Sequence, residues 1–294
     1  PKPSSAASDV YKRQLVAMDE LNKCIGRRVE RRDVISERLI AEFEATFAPH
    51  LYDNGAVPLG AQWCLSPDIV PPDQIGRDGH PKLGAFLPDV GLPRRMWAGG
   101  EVTFLGHFSL GDVVKKQSEI ADISFKEGRS GKLCFFKINH HYFVGDRLIV
   151  SERQDVVYRE AATTVDAAHS AVAPKGAGIT PQGKVWRVAP TSTMLFRYSA
   201  MTFNGHRIHY DDPYARDVEF YEGLVVHGPL QATLMLNLAA TLIGGAPKTF
   251  SYRGVSPLIL GEPFLVDAVK TDGAINVQTI SSSGVVTMTG QVAA

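Results

Sequence analysis

The run GPLQATLMLNLAATLIGG, Gly228 to Gly245, decides the fold. Proline follows its first residue and Gly-Gly closes it, which are ordinary start and stop signals of a helix. Between them nearly every position is apolar, so no polar face remains for solvent. Such a helix has to be covered on most sides, and the next four segments of the chain can do the covering. Thr249–Ser256, Glu262–Lys270, Ala274–Ser281 and Val285–Val292 each alternate apolar and polar residues, as strands with one buried face do. Before it, a short strand is predicted near Val185 to Val188 and a capped helix around Ser192 to Ala200.

A sheet that curls around a central apolar helix is the hotdog arrangement. The first half offers a second, more polar version. In VISERLIAEFEATFA, Ser36 can cap and Glu37 places a negative charge in the first turn, while Leu39, Ile40, Phe43 and Phe47 recur at helical spacing. From Gly100 to Glu160 apolar and polar residues alternate, with turn signals at Leu110-Gly111-Asp112, Gly128 to Gly131 and Gly145-Asp146. A Pro- and Gly-rich stretch, Val57 to Pro93, lies between and runs into LPRRMWAGG; it keeps Trp, Phe and Leu that want burial, so an ordered loop excursion is expected. The fold class is therefore α+β, a double hotdog in which each half is an antiparallel sheet wrapped around a helix. The expected division is a leader over 1–14, resembling translated adapter sequence; a degenerate N-terminal hotdog over 15–160; an Ala/Thr/Pro/Gly linker over 161–183; and a C-terminal hotdog over 184–294.

Composition removes several functions. Among 294 residues, 31 Lys and Arg balance 31 Asp and Glu, so no global basic field exists to hold a nucleic acid. Cys24, Cys64 and Cys134 show neither a disulfide framework nor CxxC spacing, which points to a reducing compartment. No apolar run is long enough to span a bilayer. A soluble, cytoplasmic protein is expected.

The chemistry concentrates in TFNGHRIHYDD, Thr202 to Asp212, with Gly228 nineteen positions after His209. Taken with GLVVHGPLQATL and LPRRMWAGG, the stretch RYSAMTFNGHRIHYDDPYA resembles the MaoC-like dehydratase/hydratase superfamily. The similarity runs over nearly the whole chain from about Leu15 and is nearest to the branch of 3-hydroxyacyl-thioester dehydratases and itaconyl-CoA or mesaconyl-CoA hydratases. The resemblance implies an enzyme, often dimeric, that adds water to an acyl thioester or removes it. CoA is then part of the substrate, no further cofactor is implied, and a homodimer is expected. The runner-up readings are dehydration of 3-hydroxyacyl groups on an acyl carrier protein and a catalytically silent acyl-CoA-binding module.

Hydrating a 2-enoyl thioester needs a base for water, a proton for C2 and a donor for the thioester oxygen. His209 matches the family's catalytic histidine, and Gly228 matches the glycine whose amide stabilises the oxygen; Pro229 has no N–H to compete. The usual catalytic aspartate is replaced by Asn204, which can orient water but cannot ionise. Either His209 handles both protons, or His206 or Asp211 takes the acidic role. Asp211 could equally orient an imidazole or cap a helix before Pro213. Arg94, Arg95 and Trp97 could grip CoA phosphates or a substrate carboxylate, or could simply fix a loop. Arg207 suits a distal carboxylate. His206 and His209 lack an HExxH motif, a third ligand or a cysteine partner, so no metal is expected.

Overall fold

A computed structural model of the protein describes residues 21–128, 131–161 and 180–293. The leader and nearly all of the linker lie outside those residues. Ten strands are formed: β1 (Arg28–Val34), β2 (Arg94–Phe104), β3 (Val113–Gly128), β4 (Gly131–Val144), β5 (Arg147–Arg159), β6 (Lys184–Val188), β7 (Thr249–Gly254), β8 (Phe264–Thr271), β9 (Ala274–Ile280) and β10 (Val286–Ala293). The α-helices are α1 (Glu37–Phe47), α2 (Ser192–Met201), α3 (Asp212–Asp217) and α4 (Gly228–Ile243).

All ten strands belong to one antiparallel sheet in the order β1-β3-β4-β5-β2-β7-β10-β9-β8-β6. Each half repeats one topology: its first, third, fourth, fifth and second strands lie side by side. The two second strands meet in the middle, where Gly99–Thr103 of β2 pairs with Thr249–Arg253 of β7. The doubled sheet expected from the sequence is thus formed by two copies joined edge to edge.

α4 is the central helix. Every residue from Leu230 to Ala240 is buried, and the helix packs on strands of its own half and on β2. Its polar residues are satisfied. Asn237 accepts from the Tyr52 amide at 3.1 Å and donates to the carbonyls of Leu59 and Thr233. Gln231 accepts from the hydroxyls of Thr279 and Thr287. These bonds let a buried helix carry amides without an unpaired polar group. α1 is capped by Ser36 as expected, but buries only Phe43, Thr46 and Phe47. Phe47 meets Tyr198 of α2 edge-on.

One strand was not foreseen and one expectation needs correction. β1, RVERRDV, carries only two apolar residues and shows little alternation of its own, yet pairs with β3 along its whole length. Arg94, Arg95 and Trp97 are not in a loop: they open the central strand β2, where a bulge between Trp97 and Gly99 interrupts the pairing with β5. The extra residue of a bulge re-aims its neighbours, and Trp97 is brought against the start of α4. All three cysteines are buried and none forms a disulfide. No described helix is long and apolar enough to cross a membrane.

Candidate active site

The motif bridges α2 and α3. Phe203 leaves α2 with φ of 49°, a conformation side chains avoid and one that tends to persist at functional sites. Asn204 then makes a local turn, its side-chain oxygen accepting from the His206 amide at 3.0 Å. Arg207–His209 forms a single 3-10 turn that buries His209. Two bonds lock this turn to the segment entering α4. The Val225 amide donates to the Ile208 carbonyl at 2.9 Å. In return, His209 Nδ1 lies 2.7 Å from the Val225 carbonyl oxygen.

That second bond determines the tautomer. A carbonyl oxygen only accepts, so Nδ1 carries the hydrogen and Nε2 keeps its lone pair. Burial pushes the His209 pKa down to about 3, although the Val225 bond opposes the shift. The ring is therefore neutral at physiological pH and able to receive a proton. It stacks on His227, with centroids 3.6 Å apart and planes at 19°. His227 is the N-cap residue of α4 and its Nε2 is 2.8 Å from the Ser199 hydroxyl. It packs against the face of the His209 ring and is itself held by Ser199.

Gly228, Asn204, His206, His209, Arg95 and Trp97 line one cavity of about 370 Å³. Gly228 is the first residue of α4. Its N–H has no acceptor within the helix and stands at the positive end of the helix dipole. A Cβ at this position would come within 2.7 Å of the Trp97 ring, so glycine is required for the strand and helix to approach. His209 and the Gly228 amide thus share one chamber, with β2 forming a wall from the other half.

Three predicted binding residues belong to the scaffold. Arg94 is buried in an ion pair with Glu219, which Tyr214 also holds. Arg207 donates twice to one Asp211 oxygen, at 2.9 and 2.7 Å, and lies over the Tyr214 ring. The other Asp211 oxygen caps α3 by accepting from the Tyr214 amide. Arg207, chiefly through this hydrogen bonding, holds the Asp211 carboxyl below its usual range. None of the three lines the cavity, so substrate contact by Arg94, Arg207 and Asp211 is corrected to support of α3 and its surroundings. Arg95 differs. It forms no hydrogen bond or ion pair among the described residues, and it faces the cavity.

Sequence reading missed other groups that the cavity gathers. Glu152 is 2 % exposed and accepts from Trp63 Nε1, Tyr252 and Tyr142 at 3.0, 3.2 and 3.4 Å. Burial raises its pKa against the pull of those donors. Lys116 and His140 lie with it on the wall. Most consequential is His80, with Asp78 beside it just outside the lining. With His206 they place ligand-type atoms within 4.8 Å of one another, correcting the expectation that His206 lacks such neighbours. The only local signal was RDGHP, a compact polar run inside a Pro/Gly excursion.

The sequence profile of the hydroxyacyl-thioester dehydratase type 2 family, Htd2, matches residues 60–260, which contain β2, the motif and α4. The chain belongs to that family. Membership makes it a hydro-lyase of acyl thioesters. It is 37% identical over 224 residues to the mesaconyl-C(4)-CoA hydratase of Chloroflexus aurantiacus, covering 76% of this chain and 78% of that one. Among solved structures, HtdX of Mycobacterium tuberculosis superposes with a TM-score of 0.64 at 17% identity, over 90% of this chain and 99% of that one. A Mycobacterium tuberculosis protein with a double hotdog fold superposes with a TM-score of 0.53 at 10% identity, over 91% and 95% of the two chains. At those identities the structures speak for the fold alone, and they agree with the doubled strand order.

Proposed function

We propose that the protein reversibly hydrates a short, branched dicarboxylic 2-enoyl-CoA of the mesaconyl- or itaconyl-CoA type. The observation that carries the hydratase chemistry is the lone pair on His209 Nε2, left by the Val225 bond, in the same chamber as the Gly228 amide. On this reading His209 takes a proton from water as its oxygen attacks C3. The Gly228 N–H meets the negative charge that develops on the thioester oxygen, where a preorganised donor is worth most. CoA is part of the substrate, and water is the only other reactant.

The dicarboxylic class is supported by the chamber wall and by the named activity of the Chloroflexus relative. Arg95, Lys116, His140 and Glu152 would be poor company for a long alkyl chain, which would remove their water without replacing its hydrogen bonds. A carboxylate on or next to C3 has to be met close to the catalytic base. Arg95 fills that need, since its charge acts on both His206 and His80 and, although Asp78 feels it too, it forms no hydrogen bond or ion pair among the described residues. The role first suggested for Arg207 thus moves to Arg95.

The test is loss of enoyl-thioester absorbance with crotonyl-, itaconyl- and mesaconyl-CoA. Preference for the dicarboxylic substrates, abolished by His209→Ala, is the expected result. Preference for crotonyl-CoA would remove the dicarboxylic assignment, and turnover confined to carrier-protein thioesters would replace CoA by acyl carrier protein.

A further inference from the structure

Position 204, where the broader MaoC-like pattern implies an aspartate, holds an asparagine that cannot ionise, and Asn204 is occupied in a backbone turn. A proton still has to reach C2. We propose that His80, held by Asp78 at the tip of the loop preceding β2, is the second proton-transfer residue of this site, an inference that rests on the hydratase reading above.

The loop is fastened to the motif from the other half of the molecule. Its tip closes on itself through Gly76 N–H to the His80 carbonyl at 2.7 Å and Gly79 N–H to the Gly76 carbonyl at 3.0 Å. The Arg207 amide donates to the Asp78 carbonyl at 2.8 Å. Gly79 has φ of 90° and lies so close to Gly205 that a Cβ there would collide with the Gly205 carbonyl. The tip therefore has one position relative to His206 and His209. Asp78 accepts from both the backbone amide and the ring Nδ1 of His80, at 3.1 and 3.2 Å. The His80 ring packs 4.3 Å from that of His206, which stands edge-on to His209 at 5.4 Å. All three imidazoles line the one cavity.

The two outer histidines have different supports, and that assigns their roles. His209 Nδ1 rests on a neutral carbonyl, whereas His80 Nδ1 rests on a carboxylate. A carboxylate favours the imidazolium more strongly than a carbonyl does, so His80 is the ring fitted to carry a proton and His209 the ring fitted to receive one. Burial holds the His80 pKa below the ordinary histidine value and Arg95 adds to that, while Asp78, through its hydrogen bond and its charge, and Asp68 work the other way; His206 and His209 are its titratable ring neighbours. In the forward reaction water's oxygen bonds to C3 and loses a proton to His209 Nε2. The C2=C3 pair moves to form the enolate, which the Gly228 N–H holds. The enolate then collapses, and C2 takes the proton from His80 Nε2. One proton returns from His209 to His80, with His206 adjacent to both rings, and the cycle closes with only water added.

The test uses His80→Gln and Asp78→Asn in the full chain, on whichever thioester the wild type turns over. His80→Gln should lower kcat by roughly 10²- to 10⁴-fold with KM little changed, as for loss of a positioned acid. Because the acid must be protonated and its pKa lies below the ordinary histidine value, the wild-type kcat should fall as pH rises through a point below that value. That limb should disappear in His80→Gln and move to lower pH in Asp78→Asn, where the anion favouring the imidazolium is gone. Unchanged kcat and an unchanged limb in both variants would overturn the proposal. So would wild-type activity that a chelator abolishes and zinc restores, since Asp78, His80 and His206 would then be metal ligands. If His80→Gln fails to fold, the Asp78→Asn limb decides alone. Active His80→Gln beside inactive His209→Ala would leave the hydratase reading standing and remove only this one; a wild type without turnover would remove both.

Discussion

The two halves of the sheet have the same strand order but different interiors. In the C-terminal half a continuous stretch of α4 is buried, and the start of that helix meets the motif bearing His209. In the N-terminal half α1 buries three side chains, and the space beside the sheet holds Glu152 under the rings of Trp63, Tyr142 and Tyr252. The first half has no comparably buried helix among the described residues and supplies instead a wall, the Arg95 cation and a loop. Duplication makes this division possible: one copy carries His209 and the helix that starts at Gly228, while the other shapes the space in front of them.

The strongest way to break the comparison is through the catalytic half. His209→Ala should cost about 10²- to 10⁴-fold in kcat, read by enoyl absorbance, with binding of a CoA ester retained. The same histidine predicts a pH profile. Its pKa is pushed down to about 3, and the base must be unprotonated to act. Loss of activity on acidification should therefore begin only near that value, unless unfolding comes first. A base-dependent limb near neutral pH would contradict the neutral, buried ring.

Stability should separate the halves next. Leu236→Ala removes a fully buried side chain from α4 and should cost about 2–5 kcal/mol in denaturant unfolding. Leu39→Ala, on a partly buried position of α1, should cost clearly less. Equal losses would mean that α1 is as central as α4. On specificity, Arg95→Met should lower kcat/KM for mesaconyl-CoA by roughly ten- to a hundredfold, the range of one charge-assisted hydrogen bond, and leave crotonyl-CoA nearly unaffected. An equal loss on both substrates would place Arg95 in general architecture. Smallest is a pair in which the halves should agree. Ser36 caps α1 and Thr191 caps α2 by the same side-chain bond, each at 3.1 Å. Ser36→Ala and Thr191→Ala should each cost about 1 kcal/mol, measured as shifts in the unfolding midpoint.

Elements whose pattern is carried by their own residues were legible in the chain. α4 declared itself because eleven successive positions could not face water, and β7 to β10 because their alternation needs one buried face. His209 and Gly228 were legible because a family motif places them a short, definite distance apart. β1 escaped because a strand with only two apolar residues owes its existence to the hydrogen bonds β3 offers. Arg94, Arg95 and Arg207 looked alike, since a guanidinium's charge is local but its partner is not. Only the fold gave Arg94 to Glu219 and Arg207 to Asp211, leaving Arg95 facing the cavity. His80 is the extreme case: nothing near RDGHP says that the loop returns to His206, because that contact is made by chain closure across both halves. By itself, then, the sequence determined the doubled fold and singled out His209 and Gly228 as the residues to examine, through periodicity and the spacing of one motif. The tertiary structure decided which charges are neutralised and which stay available to a substrate, because pairing between distant side chains depends on where the sheet brings them.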